Sequence, residues 1–179
     1  MHVQAFDFVA THAATLEPVA VLEMGSHDVN GGVRPLFPSA EEYHGIDIAP
    51  GPGVDEVADA AEWRSPSRFD VVVSTEVLEH APRWSAVVVN GWDALTPGGT
   101  LLVTCATDPR APHSAIDGWD VRQGEWYANV APLEMLSLVR SLEPARWKLE
   151  VALDRGDLYV RIDKRRQALN SPPPRSART

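Results

Sequence analysis

Apolar runs of strand length alternate with segments of helical spacing along most of this chain, the pattern of a parallel sheet wrapped by helices. The strongest run, Phe69-Asp70-Val71-Val72-Val73-Ser74, is rich in β-branched residues and predicts a strand buried on both faces in the middle of the sheet. Val19 to Glu23 predicts a first strand, Tyr43 to Asp47 a second, Val54 to Ala58 a third and Thr100 to Ala106 a fifth. Helical spacing marks residues 2–15, Ser85 to Leu95 and Pro132 to Leu142, and Pro97-Gly98-Gly99 is expected to stop the second of these. Trp147 to Leu153 and Leu158 to Ile162 flank Asp154-Arg155-Gly156-Asp157, which favours an antiparallel hairpin. Thr107 to Asn129 has no clear period, and a connection that long in a compact domain usually carries function.

The 179 residues are expected to form one domain over residues 1–166, with residues 167–179 as a disordered tail. No apolar stretch approaches the roughly 20 residues that span a bilayer. Met1 to Ala14 has no basic residue ahead of an apolar run and contains Asp7, so it does not read as a signal peptide; the expected compartment is the cytoplasm, with no membrane partner. Residues 1–160 hold 10 basic and 24 acidic side chains, a balance of −14, which repels nucleic-acid phosphates. The basic cluster Lys164-Arg165-Arg166 and Pro172-Pro173-Pro174 read as a solvated end. Cys105, the single cysteine, sits in an apolar strand and reads as a buried thiol.

Two features after the first two strands point to a ligand. Val21-Leu22-Glu23-Met24-Gly25 leaves an apolar strand through glycine, and Asn30-Gly31-Gly32 follows. Glycine presents no Cβ, so backbone N–H groups there can face a carboxylate or ribose, while Glu23 can accept from a cationic amino group. Asp47 lies about 20 residues further on, where nucleoside-binding α/β folds place the acid that grips ribose hydroxyls. The turn alone is equally a tight strand-to-loop connection. No GxGxxG follows the strand, which disfavours a nicotinamide dinucleotide.

Phe69-Asp70-Val71-Val72-Val73-Ser74-Thr75-Glu76-Val77-Leu78-Glu79-His80 closely resembles the post-strand motif of class I S-adenosylmethionine (SAM) dependent methyltransferases, in particular the type-11 group. The resemblance extends to Leu22-Glu23-Met24-Gly25, to Gly45-Ile46-Asp47 and to Leu95-Thr96-Pro97-Gly98-Gly99-Thr100-Leu101, so that four motifs occur in family order over residues 19–106. It implies a Rossmann-like three-layer α/β sandwich with a seven-stranded, mostly parallel sheet and a terminal antiparallel hairpin. It also implies SAM as cofactor and S-adenosylhomocysteine as product. By the same resemblance Glu23 and Gly25 flank the methionine moiety, Asp47 binds the ribose hydroxyls and Ile48 packs on the adenine. Asp59 with Ala60 then borders the adenine, and Ser74 lies near the amino acid end. The chain departs from the family's E/D-x-G-x-G-x-G pattern, since His27 and Val29 occupy the later glycine positions; Asn30, which tolerates the left-handed conformation, and the two glycines after it are expected to restore the turn.

Methyl transfer from a sulfonium depends mainly on positioning, and a base is needed where the acceptor must lose a proton. His80 and His113 are the candidate bases because imidazole titrates near neutrality, against the plainer readings of a structural and an exposed loop histidine. Glu76, Glu79 and His80, with His27 across the sheet top, offer donors to a divalent cation, but no HExxH or CxxC pattern is present and no metal is expected. Trp119, Trp126 and Tyr127 either wall an acceptor pocket or anchor their loop. The expected activity is methylation of an O, N or C nucleophile, the partner being a small-molecule acceptor. The alternative is a noncatalytic SAM- or nucleoside-binding regulatory module.

Overall fold

The computed structural model describes residues 2–167; the expected tail lies outside the described residues except for Gln167. Helix α1 (Val3–Ala13) precedes strand β1 (Ala20–Met24), β2 (Glu42–Asp47), β3 (Glu56–Val57) and β4 (Phe69–Thr75). Helix α2 (Trp84–Ala94) leads into β5 (Leu95–Ala106), and α3 (Pro132–Ser141) is followed by β6 (Arg146–Ala152) and β7 (Asp157–Asp163). The seven strands form one sheet in the order β3-β2-β1-β4-β5-β7-β6, parallel from β3 to β5 and antiparallel through β7 and β6.

The alternation of strand side chains explains the layers. Val21, Val71, Val73 and Leu102 point to one face, where they meet Val9 and Ala13 of α1 together with Val33 and Phe37. Leu22, Met24, Val72, Leu101 and Val103 point to the other, against Val87, Val88 and Trp92 of α2 and Met135 and Val139 of α3. Every residue of β1 is buried, and all of β4 except Asp70, as a strand covered on both sides requires. The exception is used: Asp70 Oδ2 accepts from the amides of Val19 and Ala20 at 2.8 and 3.0 Å, joining the entry of β1 to that of β4.

Two expectations change. The third strand shrinks to two residues, with the Asp55 carboxylate taking the Gly45 amide before it and the Asp59 turn following Ala58, whose amide still donates to the Asp47 carbonyl. The fifth strand begins at Leu95 rather than Thr100: Leu95 is already paired with Phe69, and Pro97-Gly98-Gly99, expected to stop the helix, forms an irregularity inside β5 before Thr100 pairs with Val71. Gly98 has φ +93°, a conformation in which a side chain is strained. Among the described residues no helix is long and apolar enough to cross a membrane.

Chain order reverses at β1, which pairs with β2 on one side and β4 on the other. In an open α/β sheet such a point leaves a crevice beyond the carboxyl ends of the strands, because successive connections depart to opposite sides.

Candidate functional site

A cavity of about 970 Å³ opens at this crevice. Glu23, Gly25, Gly31, Asp47, Ile48 and Ala60 contribute to one part of its lining, Glu76, His80, Arg110 and His113 to another. The loop after β1 and the loop after β2 are locked together by small residues. A Cβ on Gly45 would strike the Gly53 carbonyl, and one on Gly51 would strike the His27 ring. His27 therefore lies on the Pro50-Gly51-Pro52-Gly53 turn.

Asp47 accepts from the His27 amide at 3.1 Å through Oδ2 and from the Ala49 amide at 3.0 Å through Oδ1. Each carboxylate oxygen has two lone pairs, so both keep a free acceptor site toward the cavity. Ile48, beside it, is 76% exposed and lines the same space, an apolar surface awaiting a flat partner. Asp59 accepts from the Ala61 amide at 2.8 Å and from Arg83 at 2.9 Å, and Ala60 is buried next to it.

Glu23 is 4% exposed and accepts from the Tyr43 hydroxyl at 2.7 Å. Burial pushes its carboxyl up to about 7, with the Tyr43 hydrogen bond and the Arg34 charge pulling the other way. A cation arriving from the cavity would find here an anion that has been deprived of water.

The two glycine expectations are partly corrected. Gly25 adopts φ +86° as expected for a tight exit, but the place of its missing Cβ is filled by Val77 rather than left open. Gly31, at φ +96°, has no atom within 4 Å of that place, so the open main chain lies there. Asn30 does not take the left-handed conformation; Gly31 does, held by Asp28, whose Oδ1 accepts from its amide at 2.7 Å. Ser74 is 2% exposed and lies behind the lining, which at this level is made by Thr75 and Glu76.

The 3₁₀ turn Leu78–His80 follows β4. Glu76, at φ +57°, leads into it with Oε1 accepting from Thr104 at 2.8 Å and Oε2 3.2 Å from His2 Nε2. Burial opposes the Glu76 charge, but the hydrogen bonds from His2 and Thr104 and the His2 charge hold its carboxyl below the ordinary range. The long 107–129 segment is tied back by Ala128, whose amide donates to the Glu79 carbonyl at 2.8 Å. That tie stacks three rings edge to face: His80 and His113 at 5.1 Å, His80 and Tyr127 at 5.4 Å, His113 and Tyr127 at 4.8 Å. Burial and the neighbouring His113 hold the His80 imidazole below its usual value. Of the loop aromatics, Trp119 lines the cavity and is 78% exposed, whereas Tyr127 packs behind the two imidazoles.

Sequence reasoning missed His2 and Arg110. His2 reaches the site because α1 begins there, its Nδ1 accepting from the Ala5 amide at 3.4 Å. Arg110 donates to the buried Asp157 on β7 and to the Arg155 carbonyl. Neither has a local motif, since both depend on contacts about 50 residues or more apart in the chain. The expected donor set for a cation also changes. Glu76 is engaged by Thr104 and His2, and the donor atoms that come together belong to Glu79, His80 and His113, all within 4.8 Å of one another.

With this geometry in place, comparison with known proteins is informative. A family model described as "Methyltransferase domain", of the type-11 group, matches residues 31–103, less than half of the chain. A SAM-dependent methyltransferase from Mesorhizobium loti superposes with a TM-score of 0.64 at 18% identity, covering 89% of this chain and 98% of that one. The 1,6-didemethyltoxoflavin N1-methyltransferase of Burkholderia thailandensis, solved with S-adenosylhomocysteine, gives 0.63 at 15% identity over 91% and 77%. The N-methyltransferase NodS of Bradyrhizobium japonicum, also with S-adenosylhomocysteine, gives 0.60 at 16% over 90% and 85%. No curated protein matches the sequence. Over residues 31–103 the chain is similar to a methyltransferase domain, and over about nine-tenths of its length it shares the fold of these solved methyltransferases. The domain it resembles is that of the type-11 group, as the Val77-Leu78-Glu79-His80 motif inside the matched segment indicated.

Proposed function

We propose that this protein transfers the methyl group of SAM to an O, N or C nucleophile of a small molecule, leaving S-adenosylhomocysteine. The carrying observation is one cavity that presents the desolvated Glu23 carboxyl, the half-free Asp47 carboxylate and the exposed Ile48 side by side. These fit the three parts of the cofactor: Glu23 for the ammonium, Asp47 for the ribose hydroxyls, and Ile48 with Asp59 and Ala60 for the adenine. Gly25 closes the turn against Val77 and brings Glu23 to the lining, while Ser74 supports the strand end from behind. SAM supplies an electrophilic methyl on a sulfonium; the chain supplies alignment and exclusion of water.

The acceptor would enter beside His80 and His113, whose imidazoles can each offer a ring nitrogen to the proton of a hydroxyl or ammonium acceptor. An acidic surface and a concave site favour a small acceptor over nucleic acid. Calorimetric titration with SAM and S-adenosylhomocysteine, followed by transfer of labelled methyl across a panel of hydroxyl, amine and activated-carbon acceptors, tests the reading. Binding with labelled product is expected. Binding without product on any acceptor would favour a noncatalytic SAM-binding module, and absence of binding would overturn both.

A further inference from the structure

Glu79 is fully buried, and neither carboxyl oxygen has a hydrogen-bond partner among the described residues. Such a group costs several kcal/mol unless something satisfies it. Arg110, whose charge reaches it, is paired with Asp157. His80 Nδ1 is likewise buried and unpartnered. His113 places Nδ1 3.1 Å from the Ala111 carbonyl, a contact that commits this nitrogen as the donor and leaves the lone pair on Nε2. The three side chains converge with donor atoms within 4.8 Å of one another, while a tetrahedral ion with ligands at ~2.1 Å needs donors ~3.4 Å apart. Binding an ion there requires the three side chains to draw together by that difference.

From this convergence we infer that Glu79, His80 and His113 form a site for a divalent cation of borderline softness, of the Zn²⁺ or Co²⁺ kind, with its remaining coordination position open to the cavity. Two imidazoles and one carboxylate suit such ions better than Mg²⁺ or Ca²⁺, which prefer all-oxygen shells. His80 and His113 both line the cavity, so the open position faces the space assigned to the acceptor. An acceptor bearing oxygen donors, such as a vicinal diol or a hydroxy-carbonyl group, could fill it. In the loaded protein both imidazoles are ligands, and the free-base role described above belongs to the metal-free form. The cation site itself stands independently of methyl transfer and is tested without SAM.

Full-length, tag-free protein is stripped with a chelator and titrated with Zn²⁺ by competition against a chromophoric chelator. One equivalent is expected to bind. His113→Ala, on an exposed loop, and Glu79→Gln should each raise Kd by about tenfold or more, and His44→Ala, whose ring pairs with Glu56 elsewhere, should leave it unchanged. With Co²⁺ in place, acetohydroxamate, a bidentate oxygen ligand, should shift the visible absorption of the wild type. The inference fails if no stoichiometric binding occurs, if His113→Ala binds as the wild type does, or if loss of affinity follows His44. An unchanged Co²⁺ spectrum would remove the open position.

Discussion

Asp47 and Glu23 do different work although both are carboxylates at strand ends. Asp47 is partly solvated and held in place by two backbone amides, so it presents a fixed acceptor to the cavity. Replacing it by alanine should weaken SAM by about 1–3 kcal/mol, as calorimetry would show, and the loss of its two amide bonds should lower thermal stability modestly as well. Glu23 is desolvated, with its carboxyl raised to about 7, so at pH 6 most of it is protonated. Binding a cationic amino group there requires the charged form. SAM binding at pH 6 should therefore release a proton, measurable as a dependence of the apparent enthalpy on buffer ionisation, and affinity should rise from pH 6 to 8. Glu23→Gln should weaken binding and abolish that dependence.

Elements set the reach of these side chains. The turn after β1 works because Gly25 takes φ +86° and yields its Cβ space to Val77, which belongs to the segment following β4. Two sequence motifs are thus physically one joint. Gly25→Val would force a strained left-handed valine into Val77, and should lower stability by about 2–4 kcal/mol in urea unfolding, beyond any effect on SAM. The segment 107–129 is an element in the same sense. Ala128 ties it to Glu79, the Thr107 amide donates to the Gly156 carbonyl at 2.8 Å, and Ser114 Oγ donates to Glu125 at 2.8 Å. Those ties carry His113 to His80.

Taken as a folded unit, the protein places a buried acid where most domains place an apolar side chain, and its stability should show it. The folded carboxyl of Glu23 holds its proton to about pH 7, the unfolded one only to about 4.5. Between these values the native state binds more protons, so this contribution is full below pH 4.5 and is lost as pH rises through 7. The loss is about 3 kcal/mol, which Glu23→Gln should largely remove when unfolding free energies at pH 5 and pH 8 are compared.

Strand identity was legible in the sequence because a central parallel strand must be apolar on both faces, as Val71-Val72-Val73 and Leu101-Leu102-Val103 are. Asp47 was legible because its position depends only on the length of one strand-to-strand unit. The buried setting of Cys105, 1% exposed on β5, followed from its neighbours in the same way. Val77 filling the space beside Gly25, Ser74 lying behind the lining, and His2, Arg110 and His113 meeting at one cavity were not legible. Each depends on where the packed sheet brings sequence-distant segments, and a local pattern of side chains carries no record of such distances. Periodicity fixes which face of an element is buried; the partner that meets that face is chosen when the layers close.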